Sequence, residues 1–383
     1  MARVSLRTFI AECGGSCGDL GTFIPHVIGA IAVAGLAPFG VLSGFALFLI
    51  GSGWFYKIPM AVQPMKAVSA VILTAGMTPG EIAAAGMMLG IILLVLGVSG
   101  LIGRAARLIP QSVSAGLQLG LGLLMGVLGA KLILATPIIG VAALVTLLAL
   151  ARVPHCPAAP ITLALAVFIG WVTGDTPRPD HVSIALGLPQ FVIPSWAEIG
   201  RSFEIAVIPQ LALTLTNAVI VTAALSRELF PLAPAASERN LAISSGLANV
   251  LLAPLGAMPM CHGAGGLQAQ YRFGGRTGLT PIILGTVLLV LAIAFSGSAV
   301  QLFRIIPIGA VGALLIIAGT DLAVSRRLFD ANASCWPVIG VAALLTLLAN
   351  PALGLVFGWL AEMIRAAIVR RIRNRRAGKP LQP

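Results

Sequence analysis

Ile58–Ala67 reads IPMAVQPMKA and lies between two long apolar runs. A stretch so placed sits at membrane depth, yet it is not composed like a spanning helix. Pro59 and Pro64 interrupt it, and Gln63 and Lys66 are polar. Proline has no N–H to donate and pushes the preceding residue toward extended backbone, so a helix can start at Pro64 but not run through it. The stretch predicts a short extended piece over 58–63 and then a half-helix over 64–77. That leaves unpaired N–H groups and the positive end of a helix dipole inside the membrane. Irregular backbone is tolerated there only against protein or a cavity.

Ala257–Gly266, AMPMCHGAGG, repeats the plan: Pro59-Met60 recurs as Pro259-Met260, 200 positions on. Other stretches recur in the same order. PIIGVAALVTLLA at 137–149 returns as PVIGVAALLTLLA at 337–349, and RLIP at 107–110 as RIIP at 304–307. Ile24-Pro25-His26 resembles Ile208-Pro209-Gln210. Paired interrupted segments in corresponding halves point to a transporter's binding site. At about 20 residues per span, the first half divides into segments 19–37, 38–56, 64–77, 81–103, 110–134, 137–151 and 160–174. The second gives 203–226, 240–256, 261–273, 279–297, 306–325, 336–349 and 351–369. The expected organisation is a first repeat over 1–174, a linker over 175–202, a second repeat over 203–370 and a basic cytoplasmic tail over 371–383. An odd number of segments per half makes the second half cross in the opposite sense. The fold class is an all-α polytopic membrane protein with a 7+7 inverted repeat, in which short extended strands precede two half-helices, segments 3 and 10.

Composition agrees. Hydrophobic residues make up 58% of the chain and charged residues 9%, against about a quarter charged in soluble domains. A net charge of +12 elsewhere suggests nucleic acid; here the basic residues fall in short loops and at the ends, so no nucleic-acid partner is expected. With the N-terminus inside, Arg3, Arg7, Lys57, Arg104, Arg107, Arg152, Arg227, Arg239, Arg272, Arg276, Arg326, Arg327 and the Arg370–Arg376 cluster face the cytoplasm. Only Lys131, Arg178, Arg201 and Arg304 face outward, a strong positive-inside bias. The reading is a multi-pass protein of the bacterial inner (plasma) membrane, both termini cytoplasmic, its tail near anionic lipid of the bilayer. Five cysteines give no disulfide framework, and Cys13, Cys17, Cys261 and His262 match no trusted zinc spacing, so no metal or cofactor is expected. His26, His155, His181 and His262 are scattered, which argues against an enzyme. No GxxxxGK[ST] loop is present, so ATP does not drive the protein directly.

GDLGTFIPHV (Gly18–Val27), PMAVQPMKA (Pro59–Ala67) and PMCHGAGGLQAQYRFGGRTG (Pro259–Gly278) resemble signature stretches of the molybdate transporter family, which is related to the sulfate permeases. The resemblance covers nearly the whole chain. It implies a core domain of segments 1–4 and 8–11 and a gate domain of segments 5–7 and 12–14. The half-helices then aim their N-termini at each other near the midplane. It also implies a secondary transporter importing molybdate, or sulfate as a related dianion, by alternating access, and a homodimer formed through the gate.

In that fold the two helix ends supply about +1 and Lys66 another unit, which suits a tetrahedral dianion. Lys66 either meets the substrate, pairs with Asp19 or snorkels toward the surface. Gln63 either donates its amide to the anion or caps backbone groups. Ala67, Gly263, Ala264 and Gly265, with Gly266, stand at the helix starts, where backbone N–H groups bind oxoanions; the glycines serve close approach or helix packing. His262 donates to the anion, gates a coupling proton or is bonded within the core. Thr22 in segment 1 and Thr214, Thr216 and Asn217 in segment 8 face the helix ends or bond their own helix carbonyls. Asp19 balances Lys66, carries a coupling proton or caps a helix; Asp321 is the other acidic residue beside an apolar span. Proton and sodium coupling both stay open. An anion channel shares the site but needs a continuous pore. A nucleobase–proton symporter shares the architecture, but the glutamates of that class are absent from 211–221 and 261–273.

Overall fold

The computed structural model describes residues 6–32, 34–153, 156–177 and 187–376, and these are mostly helical. Segments 1 to 7 are Leu20–Ala32, Pro38–Tyr56, Lys66–Ala75, Pro79–Val98, Gln111–Ala135, Pro137–Leu150 and Ala158–Thr173. Segments 8 to 14 are Trp196–Leu229, Glu238–Leu252, Ala264–Arg272, Leu279–Arg304, Ile308–Ala323, Trp336–Leu348 and Pro351–Arg376. Strands β1 (Val62–Pro64) and β2 (Met260–His262) precede segments 3 and 10.

Several boundaries differ from expectation; segments 1 and 4 end five residues early, at Ala32 and Val98, and segment 11 runs seven residues further, to Arg304. A helix at Leu6–Cys17 precedes segment 1. It leaves Leu6, Phe9 and Ile10 exposed but buries Glu12, whose carboxylate accepts the backbone N–H groups of Arg276 (3.3 Å) and Thr277 (3.4 Å) and the Thr280 hydroxyl. Segment 3 starts at Lys66 rather than at Pro64, because Pro64 belongs to β1 and the Met65 N–H extends the pairing to the Pro259 carbonyl at 2.9 Å. Segment 8 starts at Trp196, inside the expected linker. Ser195 and Glu198 form a reciprocal capping box there, which satisfies two first-turn donors. Segment 14 runs on to Arg376, into the expected tail. Residues 178–186 of the linker, with His181, and residue His155 lie outside the described residues.

The packing partners reveal the two-fold relation. Segment 2 packs on segment 11, and segment 9, the repeat-mate of 2, packs on segment 4, the mate of 11. Segments 5 and 12, mates of each other, pack together; segment 13 packs on 5 as 6 packs on 12. This is the 7+7 inverted repeat, with segments 1–4 and 8–11 as core and 5–7 and 12–14 as gate. The 5–12 contact closes on glycine. A β-carbon on Gly129 would lie 2.6 Å from the Gly312 carbonyl oxygen, so the backbones touch, as small residues allow between membrane helices. Core meets gate where segment 3 touches segment 5 and segment 1 touches segment 12. Segment 8 carries two π-helical stretches, Phe203–Val207 and Thr214–Val221, on either side of Pro209. Proline removes one rung of the helix ladder, and wider turns are a common accommodation.

Candidate functional site

The two strands pair antiparallel, Val62 with His262, Gln63 with Cys261 and Pro64 with Met260. This brings the starts of segments 3 and 10 together. The free edge of β2 is completed by a side chain: Asn249 of segment 9 accepts from the Met260 N–H (3.0 Å) and donates to the Met260 carbonyl (2.6 Å). His262 is fully buried, with its Nδ1 at 3.3 Å from the Ala61 carbonyl and Nε2 at 2.9 Å from the Ser244 hydroxyl. Ser244 in turn meets the Tyr56 hydroxyl at 2.7 Å, and the rings of Phe48 and Tyr56 flank the imidazole. Both ring nitrogens are therefore engaged within the core domain.

The two half-helices differ in the donors they leave. In segment 3 the N–H groups of Ala67 and Val68 go to one acceptor, the side-chain oxygen of Gln210 in segment 8, at 2.8 and 3.2 Å. Gln210 is itself fixed by donating to the Thr214 hydroxyl at 2.8 Å. In segment 10 the N–H groups of Ala264, Gly265 and Gly266 have no partner among the described residues. Free donors thus lie mainly on the second half-helix. Ala67, expected to offer its N–H, has it capped.

A cavity of about 400 Å³ lies at this junction, within the range of small-ligand sites. Gln63, Lys66, Gln210, His262, Gly263, Ala264 and Gly265 line its core side, and Gln118, Asp321 and Ser325 its gate side. The Lys66 ammonium has no hydrogen bond or ion pair among the described residues. Asp19 stands behind this wall: its buried carboxylate accepts from the Gln63 amide at 2.5 Å and lies against Gly266. Gln63 is thus tied to Asp19, and Asp19 is buried and no surface cap. Thr22 lines a second cavity of about 380 Å³ with Arg152, Cys156, Arg272 and Asp321. Thr216 donates to the Ala212 carbonyl of its own helix. The side chain of Asn217 lies outside the described residues.

The family profile described as "Molybdate transporter of MFS superfamily" matches residues 11–125 and 203–322, more than half of the chain and one block in each repeat. This chain belongs to that molybdate transporter family. Molybdate transporter 2 of Arabidopsis thaliana is 31% identical over 90% of this chain and 84% of its own length. Molybdate transporter 1 of Chlamydomonas reinhardtii is 30% identical over 82% of this chain and 83% of its own. Among solved structures, the transmembrane domain of the cyanobacterial bicarbonate transporter BicA superposes with a TM-score of 0.66 at 15% identity, covering 94% of this chain and 98% of that one. Murine solute carrier 26 family member A9 gives 0.72 at 14% identity, covering 96% and 69%. At these identities the structural likeness concerns the fold. The family member is an integral multi-pass membrane protein, and among the described residues five helices are long and apolar enough to cross a bilayer.

Gln210, Gln118 and Ser325 were not singled out from the sequence. Gln210 had a signal, the polar position after Pro209 that matches His26 after Pro25 in the other repeat. Its role makes a prediction. Gln210→Leu leaves two buried donors without an acceptor and is expected to destabilise the purified protein by about 1–3 kcal/mol, read as a lower melting temperature. Gln210→Glu keeps an acceptor and is expected to preserve stability, while its added negative charge near Lys66 weakens anion binding by about tenfold or more.

Proposed function

We propose that this protein is a secondary transporter that imports molybdate, or a similar tetrahedral dianion such as sulfate, by alternating access. Membership of the molybdate transporter family supports the cargo. The observation that carries the reading is the juxtaposition of two helix N-termini, three unpartnered N–H groups and an unpartnered lysine around one cavity. Two helix ends and one ammonium offer about +2, matched to a dianion. Lys66, Gln63, Gly263, Ala264 and Gly265 would hold the anion, Lys66 by charge and the backbone by N–H donors. His262 would support the strand pair. Asp19, buried beside the site, is the candidate for a coupling proton, with sodium as the alternative ion. The core would rock against the gate around this cavity.

The proposal extends to a homodimer formed through the gate and to a bacterial plasma membrane with both termini in the cytoplasm. The distribution of arginine and lysine between loops supports that orientation. The same domain organisation assigns 1–174 to the first repeat and, with the helix ends seen at Trp196 and Arg376, 196–376 to the second. The test is uptake of labelled molybdate into proteoliposomes with tungstate, sulfate and uracil as competitors. Tungstate, of the same shape and charge, is expected to compete strongly and uracil not at all. Displacement by uracil overturns the oxoanion reading. Flux that rises linearly with concentration and never saturates favours a channel over a carrier.

A further inference from the structure

The central cavity and the one lined by Thr22 share a residue, Asp321. It stands near the end of segment 12, in the gate domain, and is exposed to these spaces. Opposite it, in the core domain, is Lys66. Both line the central cavity, but no ion pair within 4.0 Å joins them, and neither has a hydrogen-bond partner among the described residues. Four residues on, the Ser325 hydroxyl is buried in the same wall with no partner among the described residues. The gate therefore presents unsatisfied polar groups to an unsatisfied lysine. Asp19, the other carboxylate near Lys66, cannot serve the same purpose. It belongs to the core, is bonded to Gln63 and sits against Gly266, so it keeps its place beside Lys66 whatever the gate does. Of these two carboxylates, Asp321 is the one whose distance to Lys66 is set by the movement of one domain against the other.

We propose that Asp321 is the gate's counter-charge for the empty site. When cargo has left, closure of the cavity brings the carboxylate onto the Lys66 ammonium, and the unloaded core reorients as a compensated pair. When the dianion is bound it takes that place, and like-charge repulsion keeps Asp321 away. The inference rests on the oxoanion reading above. It separates two transport modes. Net uptake needs the empty protein to reorient; exchange of internal for external anion does not.

The experiment compares wild type, Asp321→Asn and Asp321→Glu in proteoliposomes, each measured for labelled-molybdate counterflow into molybdate-loaded vesicles and for net uptake into empty ones. Asp321→Asn is expected to keep counterflow within about twofold and to lose net uptake by about tenfold or more, because a lone charge is costly at membrane depth. Asp321→Glu is expected to restore net uptake. Equal rates in both modes for wild type and Asp321→Asn overturn the inference while leaving the cargo assignment intact. So does loss of both modes together in correctly folded protein, which makes Asp321 a binding or structural residue. Absence of counterflow in wild type overturns the cargo assignment, and this inference with it.

Discussion

Lys66→Met is expected to abolish measurable molybdate uptake while leaving the protein folded and at least as resistant to heat as the wild type. The two halves of this expectation come from the same fact. A lysine at membrane depth costs about 2.5–3.5 kcal/mol on insertion scales, and here no carboxylate within 4.0 Å and no hydrogen bond offsets it among the described residues. Folding alone gives no reason to keep the charge, and an apolar side chain of similar length relieves the cost. Binding does give a reason. A unit charge about 4 Å from an anionic oxygen is worth about 4 kcal/mol at the effective dielectric of a partly screened site, and losing most of that weakens binding by roughly a hundredfold or more. Uptake and ligand-induced thermal shift, measured together, separate the two. Lys66→Arg keeps the charge but fans it over a larger planar group, so partial activity is expected. Full uptake by Lys66→Met would remove this residue from the site.

Much of the fold can be read from the residues because its strongest constraints are local. Pro59, Pro64 and Pro259 each remove a rung from a helix ladder, and beside the polar residues and glycines of their stretches they mark the two breaks, whereas Pro25 and Pro209 are accommodated inside segments 1 and 8. The near-identity of 137–149 and 337–349 reveals the repeat, and an odd number of segments per half fixes the inversion. What escaped was what depends on three-dimensional neighbours. Helix propensity and proline position foretell where a helix begins, but not that the Met65 N–H would reach across to Pro259 and delay segment 3 to Lys66. The helix Leu6–Cys17 is too polar for a span and is held by long-range bonds from Glu12 to residues 276–280. The SWAE capping box at Ser195–Glu198 is legible as a helix start, and it opens segment 8 at Trp196, seven residues ahead of the apolar run at 203. At the site, the half-helix starts were legible and their occupancy was not. Nothing in the local sequence says that Gln210, well over a hundred positions away, fills the donors of Ala67 and Val68, nor that Ser244 and Ala61 engage both nitrogens of His262. Polar side chains in apolar segments must find partners; which partner is a question of packing.

The second large effect is expected at glycine, and it divides neighbouring positions sharply. Gly263, Gly265 and Gly266 open segment 10 side by side, and none of them has a positive φ, so an alanine meets no backbone strain at any of the three. Only the surroundings decide. A β-carbon on Gly266 would stand 2.5 Å from the Asp19 carboxylate and 2.6 Å from the Ala61 methyl. One on Gly263 would overlap the Gln63 amide. Either drives apart the contact that ties Asp19 and Gln63 to the start of segment 10. Overpacking of this kind costs about 1–3 kcal/mol or more, and it moves the half-helix off the cavity. Gly266→Ala and Gly263→Ala are therefore expected to lose uptake and to melt at lower temperature. A β-carbon on Gly265 meets nothing within 4 Å, because that position faces the cavity. Gly265→Ala should keep its melting temperature or raise it, since alanine favours a helix by about 1 kcal/mol over glycine. Its methyl group nevertheless stands where an anion would approach the unpartnered N–H groups. A KM for molybdate raised severalfold, with stability intact, is the expected result. An unchanged KM would mean that the anion does not approach the backbone of segment 10 at this residue, and would move the binding donors elsewhere in the cavity.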